Sequence, residues 1–373
     1  IFNNCKFVGT TNNKAAVNIK KYNGTVWNIS MNDTTLEGVN CTATDKVSDL
    51  YYVNKPEDSG ASYDYSELTV TVDNVLVWKG SDVVKAPTKI ETSSNEELTS
   101  SITDAVKESD SVDIGLSDGN FSLKNDLSSG QLSGKTIQFV GNGENTVYGS
   151  TYTDGKVGEY GADYSLEGAN VTFKNMTINL GEADYNGFVR ATNLVFENCV
   201  INGRGSYWGQ GGVTTFKKCV FNSVNGGYNI YTYSEQDYVF DGCTFNNVEK
   251  GKFFNVYKEV NNSTSKIEIT NCTFNGSSSS TDKAVLCVKL FRGNNWNIIW
   301  KDNIINNVLE LNEDSEFSNG KTTSYTYGLG YYKNIFGVRA DGKTSFTEED
   351  IATYSSTVIS VDGVTRFENC QAK

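Results

Sequence analysis

The stretch Phe196-Glu197-Asn198-Cys199-Val200-Ile201-Asn202 decides the fold, because the same short pattern returns along the chain. The pattern is an aromatic or aliphatic residue, any residue, usually Asn, then Cys or Met, any residue, and Phe or Ile, often followed by Asn. It recurs, in full or in part, at 2–7, 173–179, 216–222, 240–246, 269–275 and 367–370. Self-similarity at intervals of about 20 to 50 residues is typical of repeat architectures.

Alternation along such a short strand sends Phe196, Cys199 and Ile201 inward and places Asn198 at a bend between two strands. If one repeat stacks on the next, the bend Asn residues can form an amide ladder. The inward Cys, Met, Phe and Ile side chains would then form one continuous core. The pattern therefore predicts an all-β parallel β-helix, or solenoid. Its variable insertions would lie on one side, and residues 307–357, with weak repeat character, would make a long excursion.

The repeats, together with Gly141-Asn142-Gly143-Glu144-Asn145-Thr146-Val147-Tyr148-Gly149, resemble the pectate-lyase-like right-handed parallel β-helix superfamily. The pattern is most similar to that of its bacterial surface-adhesin branch. The resemblance covers roughly residues 88–373 and implies a right-handed solenoid. It implies no particular activity, because the superfamily includes lyases, hydrolases and binding proteins.

A short helix is expected near residues 95–107, where it would cap the N-terminal end of the solenoid. Ser94-x-x-Glu97 fits a capping box. Leu98, Ile102 and Ala105, with Val106, follow at helical spacing and would form one apolar face. An extended stretch is expected after the helix, at 112–116.

A longer repeat divides the chain. Residues 14–29 align without gaps to 283–298 and are identical at seven of sixteen positions, and Asn4-Cys5-Lys6-Phe7 aligns to Asn271-Cys272-Thr273-Phe274. We therefore expect residues 1–86 to be the C-terminal coils of a preceding β-helix repeat unit, and residues 87–373 to be a complete unit. The start at Ile1 fits a fragment or processed product of a longer protein.

Composition excludes several classes of function. The chain has 373 residues, a formal net charge of -13 and no His. The negative charge argues against a nucleic acid or an anionic membrane as partner. No apolar run approaches the roughly 20 residues of a membrane span. The absence of His excludes a Ser-His-Asp triad and His-ligated metals, so any catalysis would depend on carboxylates, Arg, Lys or Tyr.

The eight cysteines allow two interpretations. Eight Cys in an extracellular chain could form a disulfide framework. Because at least five occupy the same position of the repeated pattern, we favour a stack of buried thiols that act as small apolar residues.

The candidate ligand-binding residues lie in the insertions between repeats. Since these insertions fall at the same phase of successive repeats, they would form one face, and aromatic rings among polar groups suit sugars. The candidates are Tyr160, Asp163, Asp184, Tyr185, Arg190, Arg204, Tyr207, Trp208, Tyr231 and Tyr233.

Three functions remain open. The first is a non-catalytic repeat unit of a bacterial cell-surface adhesin, extracellular, which binds a polysaccharide or a host or cell-surface glycan or protein and needs no cofactor. The second is a polysaccharide lyase or glycoside hydrolase that acts through carboxylates and Arg. Calcium is the cofactor that such a lyase would use. The third is a phage tail-spike or fibre.

Overall fold

The structure is a computed structural model of the chain. It describes residues 1–9, 15–20, 26–41, 48–54, 65, 67–73, 75–80, 82–83, 87–123, 126–149, 152–153, 156–157, 164–181, 189–203, 211–222, 228–232, 236–247, 252–277 and 284–373. The chain divides into two compact units, Ile1–Ala86 and Pro87–Lys373.

The larger unit is built mainly from parallel strands, and the all-β class is confirmed. Its main sheet pairs each strand with the equivalent strand of the next repeat. In chain order its described strands are Thr88–Thr92, Ser111–Leu116, Gly119–Phe121, Thr136–Gly149, Asn170–Gly181, Asn193–Glu197, Val200–Gly203, Val213–Lys217, Val220–Asn222, Asp237–Asp241, Thr244–Asn246, Thr264–Thr270, Thr273–Asn275, Asn295–Lys301, Ile304–Asn306, Val358–Val361, Val364–Glu368 and Gln371–Ala372.

The repeated motif forms two short strands joined by a bend. The residue before each motif Cys or Met has positive φ: Asn175 (54°), Asn198 (53°), Lys218 (52°), Gly242 (64°) and Asn271 (56°). Asn and Gly tolerate this left-handed conformation better than other residues. The bend therefore explains why the motif usually has Asn or Gly at this position.

The inward side chains stack as predicted. Phe173 lies 5.4 Å from Phe196, Phe196 lies 4.9 Å from Phe216, and Phe216 lies 4.9 Å from Phe240, each pair nearly parallel. All four rings are fully buried. Offset aromatic stacking adds about 0.5–1.5 kcal/mol per pair to the burial of the rings. One residue type at one position thus joins successive repeats into a single core.

The amide ladder forms at a different Asn from the one expected. At the bend, Asn198 Nδ2 donates weakly to Asn175 Oδ1, at 3.4 Å. The longer ladder uses the Asn that ends the motif, where Asn222 Nδ2 donates to Asn202 Oδ1 at 2.9 Å and Asn246 Nδ2 donates to Asn222 Oδ1 at 3.1 Å. It runs through Asn179, Asn202, Asn222, Asn246, Asn275 and Asn306. A continuous ladder cannot form at the bend, because Lys218 and Gly242 take the place of Asn there.

A second sheet of six described strands packs against the same core. Its four parallel strands are Tyr228–Thr232, Lys252–Val256, Leu286–Leu290 and Phe336–Asp341, and the antiparallel strands Thr326–Tyr332 and Thr322–Thr323 extend it. Ile230, Phe254 and Leu286 are buried in the core. Tyr231 follows Ile230, is half-buried and lies on the outer face of this sheet. A short hairpin pairs Tyr152–Thr153 with Lys156–Val157.

Two helices complete the larger unit, Asn95–Glu108 and Glu348–Tyr354. The first helix forms where it was expected and buries Leu98, Ile102 and Ala105 in the main core. The predicted capping box at Ser94 is wrong, because the Ser94 side chain makes no capping hydrogen bond. No helix in the described part of the chain is long and apolar enough to cross a membrane.

The smaller unit repeats the geometry of the end of the larger one. Its strands are Phe2–Asn3, Lys6–Val8, Val17–Ile19, Trp27–Asn32, Thr35–Glu37, Tyr51–Val53, Leu68–Val72, Val75–Lys79 and Asp82–Val83. The Asp33 N–H donates to Asp73 Oδ1 at 2.8 Å, and in the larger unit the Asp302 N–H donates to Asp362 Oδ1 at 3.0 Å. Both ends then turn into two antiparallel strands, each with a register shift in its first pairing.

Candidate functional site

Two of the ten candidate residues lie in the described part of the chain, Arg190 and Tyr231. The other eight lie outside the described residues: Tyr160, Asp163, Asp184, Tyr185, Arg204, Tyr207, Trp208 and Tyr233. The single face expected for all ten therefore remains a prediction.

Arg190 and Tyr231 have different surroundings. The Arg190 guanidinium carbon lies 5.5 Å from the ring centroid of Tyr164, and its Nε is buried without a hydrogen-bond partner. Tyr231 contacts Tyr228 and Tyr257 on the outer face of the second sheet. Because Tyr257 follows a neighbouring strand, these contacts belong to a surface that is formed by more than one strand.

Four half-buried aromatic side chains form what we call the aromatic strip: Tyr228, Tyr231, Tyr257 and Phe291. The ring centroids of Tyr228 and Tyr231 are 6.3 Å apart, those of Tyr231 and Tyr257 are 5.9 Å apart, and those of Tyr257 and Phe291 are 5.8 Å apart. Tyr257 and Phe291 each directly follow a parallel strand of the second sheet. Parallel pairing of three strands therefore brings residues distant in sequence into one row of rings.

Unpaired amide atoms lie beside Tyr231. Asn255 is its register partner on the next strand, and Asn229 precedes it by two residues. Asn229 is 2% exposed, and neither its Nδ2 nor its Oδ1 has a hydrogen-bond partner. Asn255 is 1% exposed, and its Oδ1 also has none. A buried polar group without a partner costs about 1–3 kcal/mol, so these side chains reduce the stability of the fold at this place.

Charged side chains border the strip. Lys289 Nζ lies 5.9 Å from the ring centroid of Tyr257, and the guanidinium carbon of Arg292 lies 4.8 Å from that of Phe291. The Tyr257 hydroxyl donates to Glu259 Oε1 at 3.2 Å. Lys289 and Arg292 therefore lie over the rings of Tyr257 and Phe291, and Glu259 holds the Tyr257 hydroxyl.

Arg339, the register partner of Lys289, binds two carboxylates. Its Nη1 donates to Glu316 Oε1 at 2.8 Å. Its Nε lies 2.9 Å from Asp341 Oδ1, yet the two atoms are not aligned as a hydrogen bond, so this contact is an ion pair only. The network joins the segment that carries Glu316 to the strand Phe336–Asp341.

Phe317 covers the last of four register-matched positions on the outer face of the second sheet, the first of which is Tyr231. In register order the row is Tyr231, Asn255, Cys287 and Gly337. The Phe317 ring occupies the place where a β-carbon of residue 337 would stand. Phe317 is 8% exposed and therefore covers the last position of the row.

A second concavity lies on the main sheet near the first helix. It encloses about 690 Å³ and includes Glu91, Asp113, Gln138 and Asn142. An adjoining depression of about 450 Å³ shares Asn142. Gln138 Nε2 donates to Asp113 Oδ1 at 3.1 Å. Aromatic side chains do not line either depression, so this groove is less suited to sugar rings than the strip.

The thiol interpretation of the cysteines agrees with the structure, in which all eight are free. Cys199, Cys219, Cys243 and Cys272 are at most 1% exposed and form a column inside the main sheet. The Sγ of Cys219 donates to the Phe196 carbonyl at 3.4 Å. Burial raises the pKa of the Cys219 and Cys243 thiols, which keeps them protonated.

Metal ligands do not cluster in the described part of the chain, where no group of three Cys, Asp or Glu residues could hold an ion. Calcium binding therefore remains a prediction without a described site.

The strip was largely missed at the sequence level. The sequence analysis places Tyr231 in an insertion between repeats, but it does not identify Tyr257, Phe291 or the two Asn residues. The available signal was the alternation in Phe254-Asn255-Val256-Tyr257, which places Asn255 and Tyr257 on one face once the strand is known.

No family model, curated protein or solved structure matches this chain. The geometry of the strip is therefore the basis for the function proposed below.

Proposed function

We propose that the chain belongs to a non-catalytic repeat protein of the bacterial cell surface, an adhesin, which binds glycan on the aromatic strip. In this proposal the parallel sheets are the faces of a right-handed parallel β-helix, and residues 1–86 end one repeat unit and 87–373 form the next.

The observation that carries the proposal is the environment of Tyr231. The half-buried Tyr231 ring contacts the rings of Tyr228 and Tyr257, at centroid distances of 6.3 and 5.9 Å. Sugars bind proteins through ring faces that pack on aromatic side chains and through hydroxyls that both donate and accept. The strip offers aromatic rings together with the hydrogen-bonding hydroxyls of its three tyrosines.

The matched ends of the two units support a tandem repeat protein. The hydrogen bond from Asp33 to Asp73 and the one from Asp302 to Asp362 stand at equivalent places of the longer repeat. Free thiols are compatible with an extracellular location because the column of cysteines is buried and burial raises the pKa of Cys219 and Cys243.

The enzyme alternative finds less support at the strip. Hydrolysis by a retaining or inverting glycosidase needs two carboxylates free to act as acid and as base or nucleophile. Glu316 and Asp341 are both ion-paired to Arg339, and Glu259 accepts the Tyr257 hydroxyl. The carboxylates of the strip thus have structural partners.

A glycan array screened with the full chain tests the proposal. Reducing-end release and unsaturated products are assayed on the same polysaccharides, with and without calcium. We expect binding without release, lost in Tyr231→Ala and kept in Tyr325→Ala, which changes a tyrosine that is 75% exposed and outside the strip. Released sugar would favour the enzyme, and a trimer by light scattering would favour a phage fibre.

A further inference from the structure

We propose that the outer face of the main sheet binds the same face of a second copy of the chain, with the strands of the two copies in opposite order. This face lies on a different sheet from the aromatic strip, so its pairing goes beyond the proposed function and does not depend on glycan binding. The partner is identified by a row of charges that is complementary to itself.

One outward position can be followed through eight strands that pair in register. Phe196 is buried in the core and is followed by the outward Glu197. The equivalent residues, which we call the charge row, are in register order Gly115, Val140, Lys174, Glu197, Lys217, Asp241, Thr270 and Lys301. At Gly115 the Glu91 carboxylate occupies the place where a β-carbon would stand, so it supplies the charge at that position.

A twofold axis makes this row its own partner. In a symmetric pair of identical chains, a surface patch meets the same patch of the other copy. An axis that runs along the strands, between Glu197 and Lys217, reverses the order of the strands in the second copy. The positions that then face each other are Glu91 with Lys301, Val140 with Thr270, Lys174 with Asp241, and Glu197 with Lys217. Every charge of the row meets the opposite charge, and the two uncharged residues meet each other.

Other placements of the axis bring like charges together. An axis one strand later places Lys174 opposite Lys301, and an axis one strand earlier places Asp241 opposite the Glu91 carboxylate. An axis on a strand that carries a charge sets that charge against its own copy, and an axis along the row does so for every charge. Facing like charges disfavour association. Of the arrangements that overlap most of the row, one alone therefore has no facing like charges.

One end of the row lies in a concavity. The depression of about 690 Å³ on the main sheet includes Glu91, Gly115 and Val140. Lys301, which the axis places opposite Gly115, is exposed, with a 3.7 Å ion pair to the exposed Asp302. The Lys301 side chain of the second copy would therefore enter the depression and reach the Glu91 carboxylate.

The neighbouring outward position lets the two sheets approach. On the four central strands it is occupied by half-buried, short and uncharged side chains, those of Thr172, Val195, Thr215 and Val239. The same axis places Val195 opposite Thr215 and Thr172 opposite Val239. The methyl groups of these residues would meet at the centre, beside the longer charged side chains. An apolar centre with charges beside it is the usual composition of a protein interface.

The other charges on these strands meet no like charge either. The two outward positions before the charge row carry four charged residues, Asp113, Asp237, Lys266 and Glu268. The axis places them opposite Ile299, Asn170, Thr136 and Gln138, in that order. The Lys266 ammonium and the Glu268 carboxylate also form an ion pair within the chain, at 2.8 Å. The charges of all three outward positions are thus compatible with the pairing.

The central charges of the row are available to a partner. Lys174 and Glu197 form an ion pair at 3.2 Å, and both side chains are still about one third exposed. Lys217 and Asp241 are register partners and exposed, yet within the described ranges neither side chain takes part in an ion pair. Asp241 accepts from the uncharged Asn271 Nδ2, at 3.3 Å. The row therefore presents both signs of charge to the outside.

The size of the face predicts a weak dimer. Seven strand spacings of about 4.8 Å and strands of about 17 Å give a face of roughly 600 Å² on each copy. A standard stable interface buries about 800 Å² on each partner. The net charge of -13 on each copy opposes association at low salt, whereas at about 0.1 M salt the Debye length of about 10 Å leaves mainly the facing charges. Association is therefore expected at high protein concentration and moderate salt.

Sedimentation velocity of the full chain over a range of concentrations measures the association. It is run at about 0.1 M and about 1 M sodium chloride, where the Debye lengths are about 10 and about 3 Å. The variants are Lys217→Glu and Glu197→Lys, alone and mixed in equal amounts. Lys333→Glu is the matched control, because it changes the net charge as Lys217→Glu does and alters an exposed lysine in a turn of the second sheet. Circular dichroism checks that each variant is folded.

We expect the unmodified chain to form a dimer at about 0.1 M salt and a weaker one at about 1 M. Lys217→Glu and Glu197→Lys alone should each lower the association constant about tenfold or more, because a symmetric pair then contains two facing pairs of like charge. Their mixture should regain the association of the unmodified chain, since each changed residue then faces the opposite charge. Lys333→Glu mixed with Glu197→Lys has the same net charges as that mixture and should not regain it.

Contrary results are distinct from one another. A monomer at every concentration, or a trimer, overturns the proposal. A dimer that Lys217→Glu leaves unchanged lies on another face and overturns it too. If the two folded row variants do not recover association when mixed, residues 197 and 217 do not face each other. Tyr231→Ala should leave the dimer intact, and glycan binding is decided separately by the array.

Discussion

Phe317 lies against Gly337, with its ring in the place that any larger side chain at residue 337 would need. The close approach, and not a special backbone conformation, is what requires glycine here, since Gly337 is not among the residues with positive φ. The contact anchors the segment that precedes the last strands of the second sheet.

Gly337→Ala is expected to displace Phe317. The added methyl group meets ring atoms and not a flexible chain end, and overpacking of this kind costs about 1–3 kcal/mol. Hydrogen exchange should show lost protection at 315–320. In the double variant with Phe317→Ala the clash is absent, so a full additional penalty from Gly337→Ala in that background would contradict the contact.

Thr347→Ala should destabilise the larger unit by about 1 kcal/mol. Thr347 caps the second helix by accepting the Asp350 N–H, and Asp350 accepts the Thr347 N–H in return. Ser94→Ala is the matched control at the other helix and should cost less than about 0.5 kcal/mol, since Ser94 makes no capping bond. Urea unfolding followed by circular dichroism measures both, and equal effects would disprove the difference between the two caps.

The buried thiols should resist alkylation. At about pH 8 an ordinary Cys is partly ionised, whereas burial raises the pKa of Cys219 and Cys243. We expect N-ethylmaleimide to label the half-buried Cys5 in the folded chain and to leave these two unlabelled, as read by peptide mass spectrometry. All eight should react in urea. Rapid native labelling of Cys219, or a mass that indicates a disulfide, would refute the thiol column.

The Asn ladder should contribute to stability according to position. Asn222 donates to Asn202 and accepts from Asn246, so Asn222→Ala breaks two bonds and should cost about 1–3 kcal/mol. Asn306 makes one ladder bond and is exposed, so Asn306→Ala should cost less than about 1 kcal/mol. Urea midpoints compare the two, and a larger loss at Asn306 would contradict the ladder.

The sequence pattern was sufficient for the strands, the inward residues and the first helix. Phe196, Cys199 and Ile201 are all buried, because alternation within each short strand and the bend at Asn198 between the two strands are both local features. The helix at Asn95–Glu108 was equally local, since Leu98 and Ile102 lie one turn apart.

The strip could not be predicted in the same way, because it depends on the pairing of distant strands. Tyr231 meets Tyr257 only when the strands that carry them adopt one particular register, and the insertions between repeats differ in length. The contact between Phe317 and Gly337 is harder still to predict, because the segment that carries Phe317 lacks the repeat pattern. Only the smallness of Gly337 hinted at a close approach.

The ladder of asparagine side chains also affects how the stability of the protein depends on pH and salt concentration. Amides carry no charge, so changes in acidity and ionic strength leave their mutual hydrogen bonds intact, whereas exposed ion pairs weaken as salt rises. The chain also has no His, the one side chain whose ordinary pKa lies between about 5 and 8. The hydrogen bonds of the ladder should therefore keep their strength when acidity or salt concentration changes around neutral pH.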